Sequence, residues 1–159
     1  MIMAYQHAYD SASGELKGVC AAFPAGAEHS APTQEEAWQA AGWTVAPGPS
    51  TDAAGQPVGP DSHNYLGGAL AAKRAVTLTP DKTQIVADGA DQAVVAVAVA
   101  GADPPASLTL LVNGAQEAVA LSGGAGALAP IVAQTPCTIA VSLLDSITYR
   151  AAPVVIQAV

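Results

Sequence analysis

The run Val94-Val-Ala-Val-Ala-Val99 constrains this chain more than any other stretch. Side chains of a β-strand alternate between two faces. Val95, Val97 and Val99 therefore share one face, and Ala96 and Ala98 the other. A helix would scatter these valines around its axis, and β-branched residues favour strands. The residues before the run sharpen the reading. Val76 to Thr79 is a short strand broken at Pro80-Asp81, Gln84 to Val86 is a second, ended by an Asp88-Gly89 turn, and Gln92 to Val99 is the third. Strand, break, strand, turn and strand in this order commit the segment to an all-β fold.

The remainder of residues 75–159 continues the pattern. Leu108, Leu110 and Val112 form the apolar face of a strand that ends at Asn113-Gly114. Asn-Gly is the strongest short hairpin signal, because a type I′ turn needs positive φ at both central positions. The return strand runs from Ala115 to Leu121. Loops are expected at Gly101 to Pro105 and at Ser122-Gly-Gly-Ala-Gly126. Leu128 to Val132, interrupted by Pro130, reads as an edge strand. Cys137, Ile139, Val141 and Leu143 alternate with Thr138, Ala140 and Ser142. Asp145-Ser146 opens a turn, and Ile147 to Val159 is expected as the last strand, kinked at Pro153. Short strands at this spacing predict an antiparallel two-sheet sandwich. Its core should hold Val95, Val97, Val99, Ile139, Val141 and Leu143, with Ala96, Ala98 and Ala140 facing outward.

The first half reads differently. Residues 1–45 are expected to form a small, largely irregular N-terminal anchor region. A turn signal at Asp10 to Gly14, followed by Leu16, Gly18 and Cys20, allows a small hairpin. One short helix is predicted over 34–41. Thr33 and Glu36 have capping-box spacing, Glu35 and Glu36 suit the positive end of the helix dipole, and Gly42 can end it. Two turns of helix are marginal alone, so Trp38 and Trp43 must pack on something. Residues 46–74 are rich in Pro and Gly and lack periodicity, which predicts an extended linker or arm. Trp38, Trp43 and Tyr65 are the candidate anchor or interface residues. The expected domains are thus 1–45, 46–74 and 75–159.

Composition bears on function. Charged residues make up 11% of the chain, against about 25% in an ordinary domain. With abundant alanine, this suggests a surface covered by neighbours in an assembly. The net charge is −8. Residues 1–74 hold seven acids and three bases, and residues 75–159 six acids and two bases, so each part carries −4. No basic face is available for phosphates, so nucleic acid is not an expected partner. No apolar run suits membrane insertion. Met1-Ile-Met-Ala-Tyr-Gln-His7 lacks a basic stretch followed by an apolar one, so no signal peptide is expected. Cys20 and Cys137 are then expected as reduced thiols, Cys137 as a buried one.

Chemistry is sparse. His7, His29 and His63 lack metal-ligand spacing and are expected near turns, solvated or locally hydrogen-bonded. Ser122-Gly-Gly-Ala-Gly126 is not followed by Lys-Ser/Thr, so it is no phosphate loop. Asp81, Asp88 and Asp91 cluster around two turns. They could hold calcium, but capping turns is the commoner role of Asp there. No nucleophile and base are placed together, so no enzyme, cofactor or metal is expected.

Three segments together resemble a known family: Thr79-Pro-Asp-Lys-Thr83, Ile85-Val-Ala-Asp-Gly89 and Gln92-Ala-Val-Val-Ala-Val-Ala-Val99. They are similar to the start of the bacterial immunoglobulin-like domains of invasin- and intimin-type adhesins, related forms of which occur on tailed-phage structural proteins. The resemblance covers about half of the chain. It implies an Ig-like β-sandwich used for spacing, for contacts with neighbouring subunits or for weak surface binding, with no catalytic residues. The missing secretion signal, the lone sandwich and the Pro/Gly-rich arm depart from the adhesin pattern. They suit a virion component made in the host cytoplasm: a tail, tail-tip or capsid-decoration accessory, oligomeric among other virion subunits. The alternatives are a receptor- or glycan-binding module at a fibre tip, using Trp38, Trp43 and the sandwich loops, or a bacterial adhesin fragment.

Overall fold

The computed structural model describes residues 5–22, 33–66 and 69–159. The protein is mostly β, and the chain divides into two compact units, residues 1–73 and 74–159.

In the N-terminal unit, β1 (Tyr5–Tyr9) lies between β2 (Leu16–Ala21) and β3 (Thr44–Gly48), both antiparallel to it. The β1–β2 turn is closed by Asp10, whose Oδ1 accepts the N–H groups of Ala12 and Ser13. Helix α1 (Gln34–Ala40) has its full capping box: Thr33 accepts from the Glu36 N–H, and Glu36 accepts from the Thr33 N–H. Trp38 is buried, and its indole lies so close to Gly18 of β2 that a Cβ there would overlap it.

Residues 46–74 are not an arm. They contain the end of β3 and the hairpin of β4 (His63–Leu66) with β5 (Ala69–Ala72). The Tyr65 N–H donates to the Gly14 carbonyl at 2.8 Å, tying the hairpin to the β1–β2 turn. Leu16, Val58 and Tyr65 form the shared core, with Tyr9, Val19 and Leu70 against it. The expectation failed for a physical reason. Gly55 and its neighbours mark a turn that polar side chains close locally, so the Pro/Gly-rich sequence folds back instead of extending. The anchor region is likewise less irregular than expected, since most of its described residues lie in strands or in α1.

The C-terminal unit is built from β6 (Arg74–Pro80), β7 (Gln84–Ile85), β8 (Gln92–Ala93), β9 (Val95–Val99), β10 (Ser107–Val112), β11 (Ala115–Ala120), β12 (Ala125–Ala127), β13 (Ile131–Val132), β14 (Cys137–Leu143), β15 (Tyr149–Arg150) and β16 (Val154–Ala158). One sheet has the order β11-β10-β14-β16-β7, the other β12-β9-β6-β15, and β13 pairs with β8. Val76, Leu78, Val95 and Val97 from one sheet meet Leu110, Ile139, Val141 and Ile156 from the other in a single core. This is a sandwich. The predicted alternation holds, with Ala96, Ala98 and Ala140 exposed and Val99 and Leu143 partly buried.

Three expected strands are divided. Gln92 to Val99 breaks at Val94, whose N–H donates to Asp81 Oδ1 at 2.8 Å while its carbonyl accepts the Asp81 N–H. In Leu128 to Val132, the Leu128 N–H still bonds to Val95 of β9, and after the break at Pro130 Ile131–Val132 pairs with β8 instead. Ile147 to Val159 becomes β15, parallel to β6, and β16, in the opposite sheet, with Pro153 between them. The chain also changes sheet near its start, since β6 and β7 belong to different sheets and β7 runs parallel to β16. Cys137 is exposed rather than buried, at the first position of β14, where the strand begins.

Candidate functional site

A dense arrangement of polar side chains lies in the loop between β3 and β4. Asp52 organises its first half. Its Oδ1 accepts the N–H groups of Ala54 at 2.9 Å and Gln56 at 2.8 Å, and its own N–H donates to the Gln56 carbonyl. Those bonds, that from Gln56 foremost, hold the carboxyl below its ordinary value of 3.8, and His63 adds to the effect. Ser62 organises the second half. Its Oγ accepts the Gly59 N–H and lies 3.1 Å from the Pro57 carbonyl and 3.2 Å from that of Gly59.

His63 joins the two halves. The imidazole is 3% exposed. Its Nδ1 is 2.8 Å from Ser62 Oγ, and its Nε2 is 3.4 Å from Asp52 Oδ2. Nε2 has no hydrogen-bond partner among the described residues. A cavity of ≈ 580 Å³, lined by Pro49, Thr51, Asp52, Ala53, Leu70 and Ala72, has His63 in its wall.

Behind this loop lies a second polar cluster. His7 is fully buried, with Nε2 2.8 Å from the Pro49 carbonyl and Nδ1 3.1 Å from the Tyr65 hydroxyl. A carbonyl only accepts, so in the neutral ring Nε2 carries the proton and Nδ1 accepts from Tyr65. Tyr65 stacks on Tyr9 with ring centroids 4.4 Å apart. Burial raises the Tyr65 pKa, and Tyr9 adds to the rise. Asn64 accepts the Leu16 N–H through Oδ1.

The candidate residues read from sequence have mixed fates. Trp38 and Tyr65 are consumed by the core of their own unit and present little surface to a neighbour. Trp43 is half-buried just after α1. His29 lies outside the described residues. His7 and His63 are hydrogen-bonded, but buried rather than solvated. Spacing alone could not place Asp52 against His63. The one readable signal was a Ser-His pair next to Pro/Gly turns.

The aspartates of the C-terminal unit cap turns. Asp88 Oδ1 accepts from Ala90 and Asp91, and Asp91 accepts from Val86 and Gln92 and pairs with Lys82 Nζ at 2.6 Å. Lys82 thus neutralises Asp91, and Asp81 and Asp88 are engaged by backbone N–H groups. Among the described residues, no group of three or more His, Cys, Asp or Glu side chains is arranged to hold a metal. Cys20 and Cys137 are free thiols. Burial raises the Cys20 pKa, with Glu35 adding to it. No helix among the described residues is long and apolar enough to cross a membrane. Compared with known proteins, the chain matches no family model, no curated protein and no solved structure.

Proposed function

We propose that this chain is a structural component of a tailed-phage virion, a tail, tail-tip or capsid-decoration accessory. Its N-terminal unit is the anchor, and its C-terminal unit is an immunoglobulin-like module held among neighbouring subunits. The reading is non-enzymatic.

The observation that carries it is the character of the two outer sheet faces. Thr77, Thr79, Ala96, Ala98, Ala125 and Ala127 are exposed on the outer face of one sheet, which carries a charge only at its β15 edge, in Arg150. Thr138, Ala140, Val155, Gln157, Gln116 and Ala118 are exposed on the other. Arg150 apart, none of these residues is charged. A neighbour can cover such a face without desolvating an ion, the dominant cost in burying charged surface.

Strand order supports the immunoglobulin-like reading. The first strand is shared between sheets as β6 and β7, with β7 parallel to β16, and the connection after β11 returns to the opposite sheet. Sandwiches of that family have two such sheets joined by Greek-key connections. The glycan-platform alternative loses one of its two tryptophans, since the Trp38 indole is buried on β2.

The test is to label particles purified from the source lysate with an antibody against residues 74–159 and to image them. The expected result is label at one repeated position on the particle. Particles purified to constant composition that contain none of the chain would overturn the proposal.

A further inference from the structure

We infer that His63 Nε2 and Asp52 Oδ2 form a seat for a divalent transition-metal ion of the zinc class. The argument begins at Ser62. A hydroxyl has one hydrogen and two lone pairs. One lone pair accepts the Gly59 N–H. The Pro57 and Gly59 carbonyls, 3.1 and 3.2 Å away, can only accept, so the hydroxyl hydrogen belongs to them. The second lone pair then accepts a proton from His63 Nδ1, 2.8 Å away. The opposite assignment would set oxygen lone pairs against two carbonyl oxygens with no hydrogen between them.

With Nδ1 protonated, Nε2 of the neutral ring is a bare acceptor. It faces a second acceptor, the Asp52 carboxylate, 3.4 Å away. Nε2 is buried and the carboxylate facing it is partly exposed, and a cation between them, a proton or a metal ion, relieves the opposition. Asp52 is preorganised for it, since Oδ1 is committed to Ala54 and Gln56 and Oδ2 is left toward His63. The spacing selects the ion. Ligands about 2.0–2.1 Å from a tetrahedral zinc are about 3.3 Å from one another, close to the observed separation. A mixed imidazole and carboxylate pair suits zinc, cobalt or nickel rather than calcium or magnesium, which prefer oxygen alone. The Nδ1–H···Oγ bond is the outer support that metal-bound histidines ordinarily have. The cavity beside the pair gives the ion an entrance and room for water to complete its shell.

The experiment uses the full chain, labelled with ¹⁵N and titrated with zinc chloride, and reads the imidazole nitrogens by NMR. Without metal, His63 should show the Nδ1–H tautomer. Zinc should move the His63 Nε2 resonance, while that of His7, already bonded to the Pro49 carbonyl, stays in place. Since the readout belongs to His63, zinc taken up by Cys20, Cys137 or His29 does not imitate it. Asp52→Asn keeps an oxygen for the Ala54 and Gln56 bonds and should weaken the response at His63 at least tenfold, with an unchanged circular dichroism spectrum. His63→Gln serves as the no-ligand control. An Nε2–H tautomer that zinc does not shift at millimolar concentration, or a response equal in Asp52→Asn and the parent chain, would overturn the inference.

Discussion

Gly18 is glycine because Trp38 fills the space its side chain would need. The constraint is steric, since the backbone there is ordinary strand. A methyl group forced against a packed indole costs about 1–3 kcal/mol in comparable overpacked sites. Gly18→Ala should therefore destabilise the N-terminal unit by about that amount, measured by urea denaturation followed by tryptophan fluorescence. Trp38→Leu in the same background should recover part of the loss, and no recovery would mean that the indole is not the obstacle. Acid sensitivity is also set by single residues. Backbone N–H groups hold Asp10, Asp52 and Asp88 below their ordinary value, and Lys82 foremost does so for Asp91. A carboxyl depressed on folding contributes stability that is fully present above its unfolded value. That contribution is lost as pH falls through the lower folded value. Stability should therefore hold from neutral pH to near pH 4 and fall below 3.8, the unperturbed value of these groups. Asp88→Asn, which keeps the turn's acceptor but not its charge, should flatten part of that fall in thermal melts between pH 5 and pH 2.5.

At the scale of elements, the β10–β11 hairpin turns at Asn113 and Gly114, with φ of 48° and 86°. The turn does more than reverse the chain. Asn113 Oδ1 accepts the Ala140 N–H at 2.8 Å and so joins the hairpin to β14. Asn113→Ala should speed amide exchange at Ala140 well beyond the effect of Asn113→Asp, which keeps both the oxygen and a tolerance for positive φ. The edge strand β11 carries a different device. Glu117 lies across from the buried Leu110, so it leaves β11 on the core side and lines a groove with Val112, Leu128 and Ile131. An inward-pointing charge on an edge opposes pairing with another chain. Glu117→Val should raise the average mass seen by light scattering behind a sizing column, and an unchanged mass would refute that role. These elements also show what the sequence made legible. The Val–Ala alternation, the Asn-Gly turn and the capping box are local signals, and local signals were readable. Whether Tyr149 pairs with Arg74, or Gln157 with Gln84, depends on contacts distant along the chain. No periodicity encodes them, so the break at Val94 stayed hidden, and the kink expected at Pro153 gave no sign that the chain changes sheet there. The Asp52–His63 pair was illegible for the same reason, as its members meet only because the loop closes.

At the scale of the molecule, the two units are unequal in a way that can be measured. Among the described residues, sixteen buried side chains form the core of the C-terminal unit, against three in the corresponding cluster of the N-terminal unit. The smaller unit relies more on polar contacts, including buried His7, His63 and Asn64. Burial of apolar surface is the main favourable term in folding, and a hydrogen bond exchanged with water contributes about 1 kcal/mol. The N-terminal unit should thus be the weaker. The sequence supplies a clean probe, because both tryptophans, Trp38 and Trp43, lie before residue 74. Fluorescence therefore reports the N-terminal unit, while far-ultraviolet circular dichroism weights the strands of both. Two separately cored units should give non-coincident curves. The fluorescence midpoint should fall at lower urea than the main dichroism transition, and Gly18→Ala should move the first and leave the second in place. Curves that superimpose, and that Gly18→Ala shifts together, would show that the units unfold as one. The division at residue 74 would then be geometric only, and the N-terminal unit would draw its stability from the sandwich rather than from the packing of Trp38 and the loop around His63.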